Sequence, residues 1–154
     1  MEIKTQISRL QNDTLPEPFE QKHETNYGQL LYNSNYQAII IEALESYIPI
    51  ESFQDIFNKA TSSVQQAKVS KVIFDKRNLR TFHQPSMEWY FIHWKTEMYN
   101  LYGLTKHIKL LPNLHWFHKA VEAGKAEIMK KEASGILQNM NIMYVDSIKE
   151  ALKR

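Results

Sequence analysis

The chain has 154 residues, with 19 Lys+Arg against 17 Asp+Glu, six His, no Cys, four Gly and five Pro. That length suits one domain burying roughly 68–70% of the surface its unfolded chain exposes, so stability needs no covalent staple. A hydrophobic content of 43% with 23% charged residues excludes global disorder, and zero Cys excludes a disulfide scaffold, a thiol nucleophile and Cys-ligated zinc or iron–sulfur sites.

Residues 2–8 read as an edge strand, and 11–28 as an irregular arm or linker with Pro16, Pro18 and Gly28. A regular pattern begins at residue 29, so the expected organisation is an arm over 1–28 and a domain over 29–154. Leu30-Leu31-Tyr32 and Tyr36 to Leu44 read as two strands joined by the polar turn Asn33-Ser34-Asn35. Beyond Pro49, apolar residues at Ile50, Phe53, Phe57, Ala60 and Val64 recur in steps of three and four, one face of a helix. Lys71-Val72-Ile73-Phe74-Asp75 fits a buried strand. A second helix is predicted from Ser86 to Tyr102, stopped by Gly103 as its left-handed C′ residue with Leu104 in the accompanying apolar contact. His107 to Leu111 is a further strand. Pro112 and Asn113 then open a helix to Glu132, with Asn113 as N-cap. Asn141 to Val145 forms the last strand, and Ser147-Ile148-Lys149-Glu150 is a capping box starting a terminal helix. The order ββαβαβαβα predicts an α/β domain: a mixed sheet of about five strands, a hairpin followed by parallel strands, with packed helices.

The longest apolar run, Ala38 to Ile41, is far short of the ~20 residues that span a bilayer, so no membrane span is expected. The opening Met1-Glu2-Ile3-Lys4-Thr5-Gln6 lacks the apolar core of a secretion signal, and the expected location is the cytoplasm. Charge is unevenly spread: residues 1–66 carry nine acidic and four basic side chains, residues 67–154 eight and fifteen. The tightest basic group is Lys68, Lys71, Lys76, Arg77 and Arg80. With no zinc finger, no aromatic RNA-binding motif and no Lys/Arg run beyond two, it reads as a solvated rim, and nucleic acid is not the expected partner.

Three segments together resemble the STAS domain, and more narrowly the small SpoIIAA-like proteins of bacteria. They are the Leu30–Leu44 hairpin, the run Lys71-Val72-Ile73-Phe74-Asp75-Lys76-Arg77-Asn78-Leu79, and the closing strand and helix from Asn141 to Lys153. The resemblance covers roughly residues 29–154 and implies a regulatory, protein-binding module whose functional loop follows the Asp-ended strand. Signalling members of the family carry a phosphorylated Ser or Thr in an Asp-Ser-Ser-Gly-like motif at the start of the next helix. This chain reads Phe82-His83-Gln84-Pro85-Ser86-Met87-Glu88 there. Ser86 is the one hydroxyl at the corresponding place, and the missing Gly and Asp predict that it is not a phosphorylation site. The SEC14 lipid-carrier fold shares part of the element order and makes an apolar ligand the competing expectation.

Chemistry is sparsely represented. Gly28, Gly103, Gly124 and Gly135 are too dispersed for a phosphate-cradling loop, and no Gly-x-Ser-x-Gly elbow occurs. His115 and His118 are three apart on a predicted helix but lack a His-Glu-x-x-His pattern, so no metal and no cofactor are expected. Asp75, at a strand end where α/β ligands bind, is the best carboxylate candidate, with Arg77 or Arg80 as the base that pairs with it. No catalytic residue is assigned.

The second helix carries the most informative pattern. At about 100° per residue, Met87, Tyr90, Phe91, Trp94, Met98, Leu101 and Tyr102 form one stripe, the predicted core face. Trp89, Ile92 and Tyr99 cluster opposite, with Lys95 among the polar residues between the stripes. A second aromatic stripe predicts a cover: a protein partner, a second copy in a homodimer, an apolar ligand, or the N-terminal arm. The chain therefore reads as a non-catalytic interaction module. Its expected surface is Trp89, Ile92 and Tyr99, and its expected functional loop contains Asp75, Arg77, Arg80 and Ser86.

Overall fold

The computed structural model describes residues 19–132 and 135–154. Six strands, β1 (Glu20–Glu24), β2 (Gly28–Asn33), β3 (Ala38–Ala43), β4 (Lys71–Asp75), β5 (Lys106–Leu110) and β6 (Asn141–Tyr144), lie side by side in chain order. The first three form an antiparallel meander, and β3 through β6 are parallel. Parallel neighbours taken in order, with right-handed crossovers, put every connecting helix on the same face. That face carries α1 (Ile50–Gln66), a rod made of α2 (Gln84–Glu88), a π segment (Trp89–Lys95) and α3 (Thr96–Tyr102), and then α4 (His115–Lys131). The short α5 (Ile148–Lys153) covers the other face, where Ile148, Ala151 and Leu152 pack on Ile40, Ile73, Ile108 and Leu110.

The sheet has six strands rather than about five because part of the segment read as irregular forms β1. Its sequence, Glu-Gln-Lys-His-Glu, has no apolar alternation, and most of its side chains are exposed. Backbone pairing to β2 makes it a strand, with a bulge between Gln21 and His23, and a 2.7 Å contact joins His23 Nε2 to Asp55 Oδ2 of α1. A bulged, charged edge of this kind resists pairing with other chains. The strand expected over residues 2–8 lies outside the described residues.

The β2–β3 turn is the four-residue loop Ser34–Gln37, one longer than expected. Asn33 Oδ1 accepts from Tyr36 N at 3.0 Å, and Gln37 takes a left-handed φ of 50°. Gln37 tolerates that conformation because its carbonyl accepts from Ser70 N (2.7 Å) and Lys71 N (3.3 Å), tying the turn to the start of β4.

α1 buries Phe53, Phe57, Ala60 and Val64, as its periodicity predicts, while Ile50 is half-buried and Ile56 joins the buried face. Gly103 ends the rod in an αL arrangement: at φ 69° it donates to Tyr99 O (2.9 Å), while Leu104 N donates to Met98 O (3.3 Å). α4 does not use Asn113 as its cap. Leu114 N donates to Pro112 O at 2.8 Å, a tight turn that leaves Asn113 exposed and makes Leu114 the N-cap. At α5, Ser147 Oγ accepts from Glu150 N (3.1 Å), but the Glu150 carboxylate reaches back to Asp146 N (3.4 Å) rather than to Ser147. Lys71 Nζ and Lys106 Nζ donate to the Leu152 and Arg154 carbonyls (2.8 and 2.6 Å), anchoring the negative end of α5 to the sheet.

The rod departs most from expectation. Its middle seven residues are π-helical, and Thr96 Oγ1 donates back five residues to Phe91 O at 3.4 Å. A π turn inserts about one extra residue and rotates everything after it by about 100°. Met87, Tyr90, Phe91, Trp94 and Met98 are buried as expected, but Leu101 and Tyr102 are 60% and 40% exposed, while Lys95 is fully buried.

α4 packs closely on α2 through Gly124, where an added Cβ would meet Phe82 Cζ at 2.6 Å and Met87 Sδ at 3.1 Å. Gly124→Ala is expected to lower stability by about 1–3 kcal/mol, overpacking outweighing the better helix propensity of alanine. A urea titration measures it; an unchanged or raised midpoint would mean that the Phe82 ring yields freely.

Candidate functional site

The carboxyl ends of β4, β5 and β6 open onto a cleft of about 640 Å³ lined by residues that include Arg77, Arg80, His118, Tyr144 and Asp146. This is the edge at which open α/β sheets place their sites. Its floor is built by the loop after β4. Asp75 is 1% exposed and accepts from Arg77 N (3.1 Å), Arg77 Nε (3.0 Å) and Arg77 Nη2 (2.8 Å), a bidentate ion pair that closes the turn. Arg80 Nη1 donates to the carbonyls of Arg77 (2.8 Å) and Leu79 (2.7 Å). Backbone bonds from Lys76 N to Leu110 O and from Arg80 N to Ser46 O fasten the loop to β5 and to the segment after β3. Asn78 Nδ2 adds a bond to Ala43 O at 2.9 Å. The loop is therefore preorganised, and its cationic side chains are displayed by structure that costs little further ordering on binding.

Asp75, Arg77 and Arg80 thus meet at one edge, with Asp75 consumed in holding Arg77. Ser86 lies apart from them, buried at the start of α2. Its amide (3.3 Å) and hydroxyl (2.8 Å) both reach His83 Nδ1, so that nitrogen accepts and the imidazole proton sits on Nε2. His83 is the N-cap of α2, a role that residue type does not advertise in the sequence. His118 Nε2 donates to Pro112 O at 3.0 Å, and no group of three or more His, Asp or Glu suited to a metal occurs among the described residues.

Trp89, Ile92 and Tyr99 are half-buried and pack on the core cluster. The Trp89 ring stands edge-on to Phe53 (6.1 Å) and Phe57 (6.2 Å), so α1 takes up much of the stripe that the sequence left uncovered. What remains open is a depression of about 390 Å³ between α1 and the rod, lined by Asn58, Thr61, Trp89, His93, Trp94 and Glu97.

Pattern reasoning missed a set of interior polar groups. Lys95, His107 and Lys109 are 0% exposed, and the Lys95 and Lys109 amines, both His107 ring nitrogens and the Tyr90 hydroxyl have no hydrogen-bond partner. Burial, reinforced by the neighbouring amines, holds Lys95, Lys109 and His107 well below their ordinary pKa values. Burial alone brings Lys76 down to about 8, and burial together with the neighbouring Tyr144 pushes the Tyr90 phenol up. His107 and Lys109 at alternate positions of a strand, with Lys109 between the apolar Ile108 and Leu110, were the available signal.

A meander running into four parallel strands, helices stacked on one face and an arginine-bearing loop after the Asp-ended strand define a STAS-like α/β domain. The chain is similar to the solved structure of the anti-sigma factor antagonist SpoIIAA in its unphosphorylated form, with a TM-score of 0.52 over 89% of this chain and 95% of that one at 16% identity. The fold is therefore SpoIIAA-like. No protein-family model matches the sequence, and no curated protein matches it either. No helix among the described residues is long and apolar enough to cross a membrane.

Proposed function

We propose that the protein is a non-catalytic interaction or regulatory module, with the domain expected over residues 29–154 widened at its start to take in β1. The observation that carries this reading is the preorganised loop presenting Arg77 and Arg80 at the carboxyl edge of the parallel strands. The reaction-type residues near it are already engaged: Asp75 is neutralised by Arg77, and His118 is turned onto a backbone carbonyl. Two arginines on a wide polar cleft suit an acidic protein surface, and the SpoIIAA-like fold supports a protein partner. The depression beside Trp89 is the second surface of the same reading and the one suited to self-association.

The test is a photo-crosslinking residue placed at position 80 in the native host, with Lys59 on the outer side of α1 as control position. A discrete adduct is expected from position 80 alone, lost when Arg77→Glu is added. Equal labelling from both positions would defeat the reading. An adduct with the mass of two chains would assign the edge to a homodimer.

A further inference from the structure

Among the described residues, Lys95 and Lys109 converge on Tyr90, Lys76 and His107 lie close enough to add to their field, and no carboxylate faces the four. The Lys95 amine lies 4.6 Å from the Tyr90 ring centroid and 3.7 Å from that of Phe91, and the Lys109 amine 5.1 and 4.1 Å from the same two rings. The Lys76 amine rests 4.9 Å from the Phe74 ring centroid. Each of these amines is a strong donor in a medium of low dielectric, where an unmade hydrogen bond is expensive. The nearest carboxylate on β4, Asp75, is committed to Arg77. Lys125 on α4 adds to the same positive field.

The π segment creates this arrangement. In an α-helix, Tyr90 and Lys95 would diverge by about 140°, since five residues turn through about 500°. The wider π turn brings both to the side facing β5. π turns are rare and concentrate at functional sites because their irregular geometry needs a compensating gain. Beside the cluster lies a cavity of about 50 Å³, whose lining includes Lys76, Tyr90, Ser86, Phe53, Phe74 and Phe117. Tyr90, with its partnerless hydroxyl, belongs to both the cavity wall and the amine cluster.

We propose that this cavity binds a small organic monocarboxylate, its charge met by the Lys76 amine and the Tyr90 hydroxyl and its apolar body by the rings of Phe53, Phe74 and Phe117. The aromatic walls disfavour a multiply charged, strongly hydrated anion such as phosphate, which would lose its water without enough donors to replace it. The volume excludes an acyl chain of lipid length, since drug-sized ligands already occupy roughly 300–1,000 Å³. Lys95 and Lys109 sit behind Tyr90 and do not line the cavity. This site is separate from the arginine edge and goes beyond the interaction reading.

The experiment titrates the full chain with sodium acetate, sodium butyrate, sodium phosphate and sodium chloride at constant ionic strength, followed by protein NMR and thermal unfolding. Saturable shifts at Tyr90 and its neighbours are expected with the two carboxylates. Butyrate should bind roughly tenfold tighter than acetate, the effect of two more buried methylenes. Tyr90→Phe is nearly isosteric and is expected to fold, keep its stability in carboxylate-free buffer and bind at least fivefold more weakly. Lys76→Met is expected to abolish saturation. Equal responses to all four salts would overturn the proposal, as would binding of phosphate alone or unchanged affinity in a folded Tyr90→Phe.

Discussion

Replacing Lys109 by methionine is expected to stabilise the protein, by about 1–4 kcal/mol, and Lys95→Met to do the same. Both side chains are fully buried, and neither amine has an acceptor. A methionine of similar length would keep the packing on Phe91 and Tyr90 while removing a polar group that water no longer solvates. Chemical denaturation at pH 7 in carboxylate-free buffer measures the effect. A loss of stability in both variants would show that the amines have acceptors inside the protein.

The same amines set the pH dependence. Lys76, Lys95 and Lys109 have folded pKa values below the unfolded 10.5, so between the two values the unfolded chain binds more protons than the native one. Stability therefore rises with pH through that window, which for Lys76 runs from about 8 to 10.5. His107, lowered from 6.5, adds a loss of stability as pH falls through 6.5. Above the unfolded lysine value of 10.5 the trend reverses, because the lysine difference is then lost while unfolded Tyr90 ionises and native Tyr90 keeps its proton. Denaturation midpoints measured from pH 6 to 11 should trace this rise and turn, with a shallower slope in the Lys95→Met/Lys109→Met double variant. A flat profile in the wild type would contradict the burial of these groups.

Phe57→Ala should be the most damaging single core change, at about 3–5 kcal/mol. Phe57 of α1 is the hub of the aromatic interior, with ring centroids 4.7 Å from Phe53, 5.4 Å from Phe74, 4.7 Å from Tyr90, 4.9 Å from Trp94 and 6.2 Å from Trp89. Its removal leaves a cavity between α1, β4 and the π segment that stiff rings cannot collapse to fill. It also loosens the α1 backbone near the Phe57 carbonyl, which accepts the Trp94 indole N–H at 3.0 Å. Urea unfolding gives the number. A cost below about 1 kcal/mol would mean that the rings repack around the gap.

The arginine edge and the amine interior place different demands on the sequence. At the edge, Arg77 and Arg80 are held by hydrogen bonds that a folded chain makes regardless of what binds, and Arg77 also neutralises the buried Asp75 carboxylate. In the interior, the polar residues oppose folding. A chain that keeps Lys95, His107 and Lys109 at 0% exposure retains groups that local consistency would have replaced with apolar ones. The Ser86–His83 pair shows no such conflict, since its polar groups satisfy each other.

What the sequence determined alone was everything governed by local periodicity and punctuation. The i, i+3, i+4 apolar steps of α1, the β-branched run of β3 and β4, Gly103 at a left-handed stop and Ser147 at an N-cap are short-range physics, and each appears where its pattern puts it. The resemblance carried by the Asp75-ended strand likewise led to the SpoIIAA-like fold. Tertiary structure decided the rest. β1 exists because β2 offers an edge, not because Glu20–Glu24 has strand character. The burial of Lys95 and the exposure of Leu101 follow from a π turn, which changes angular register by pairing carbonyls with amides five residues on, and no side-chain pattern read at 100° per residue contains that shift. The clustering of Lys76, Lys95, His107 and Lys109 joins the loop after β4, the π segment and β5, up to 33 residues apart in the chain, and only packing on one face of the sheet brings those groups together.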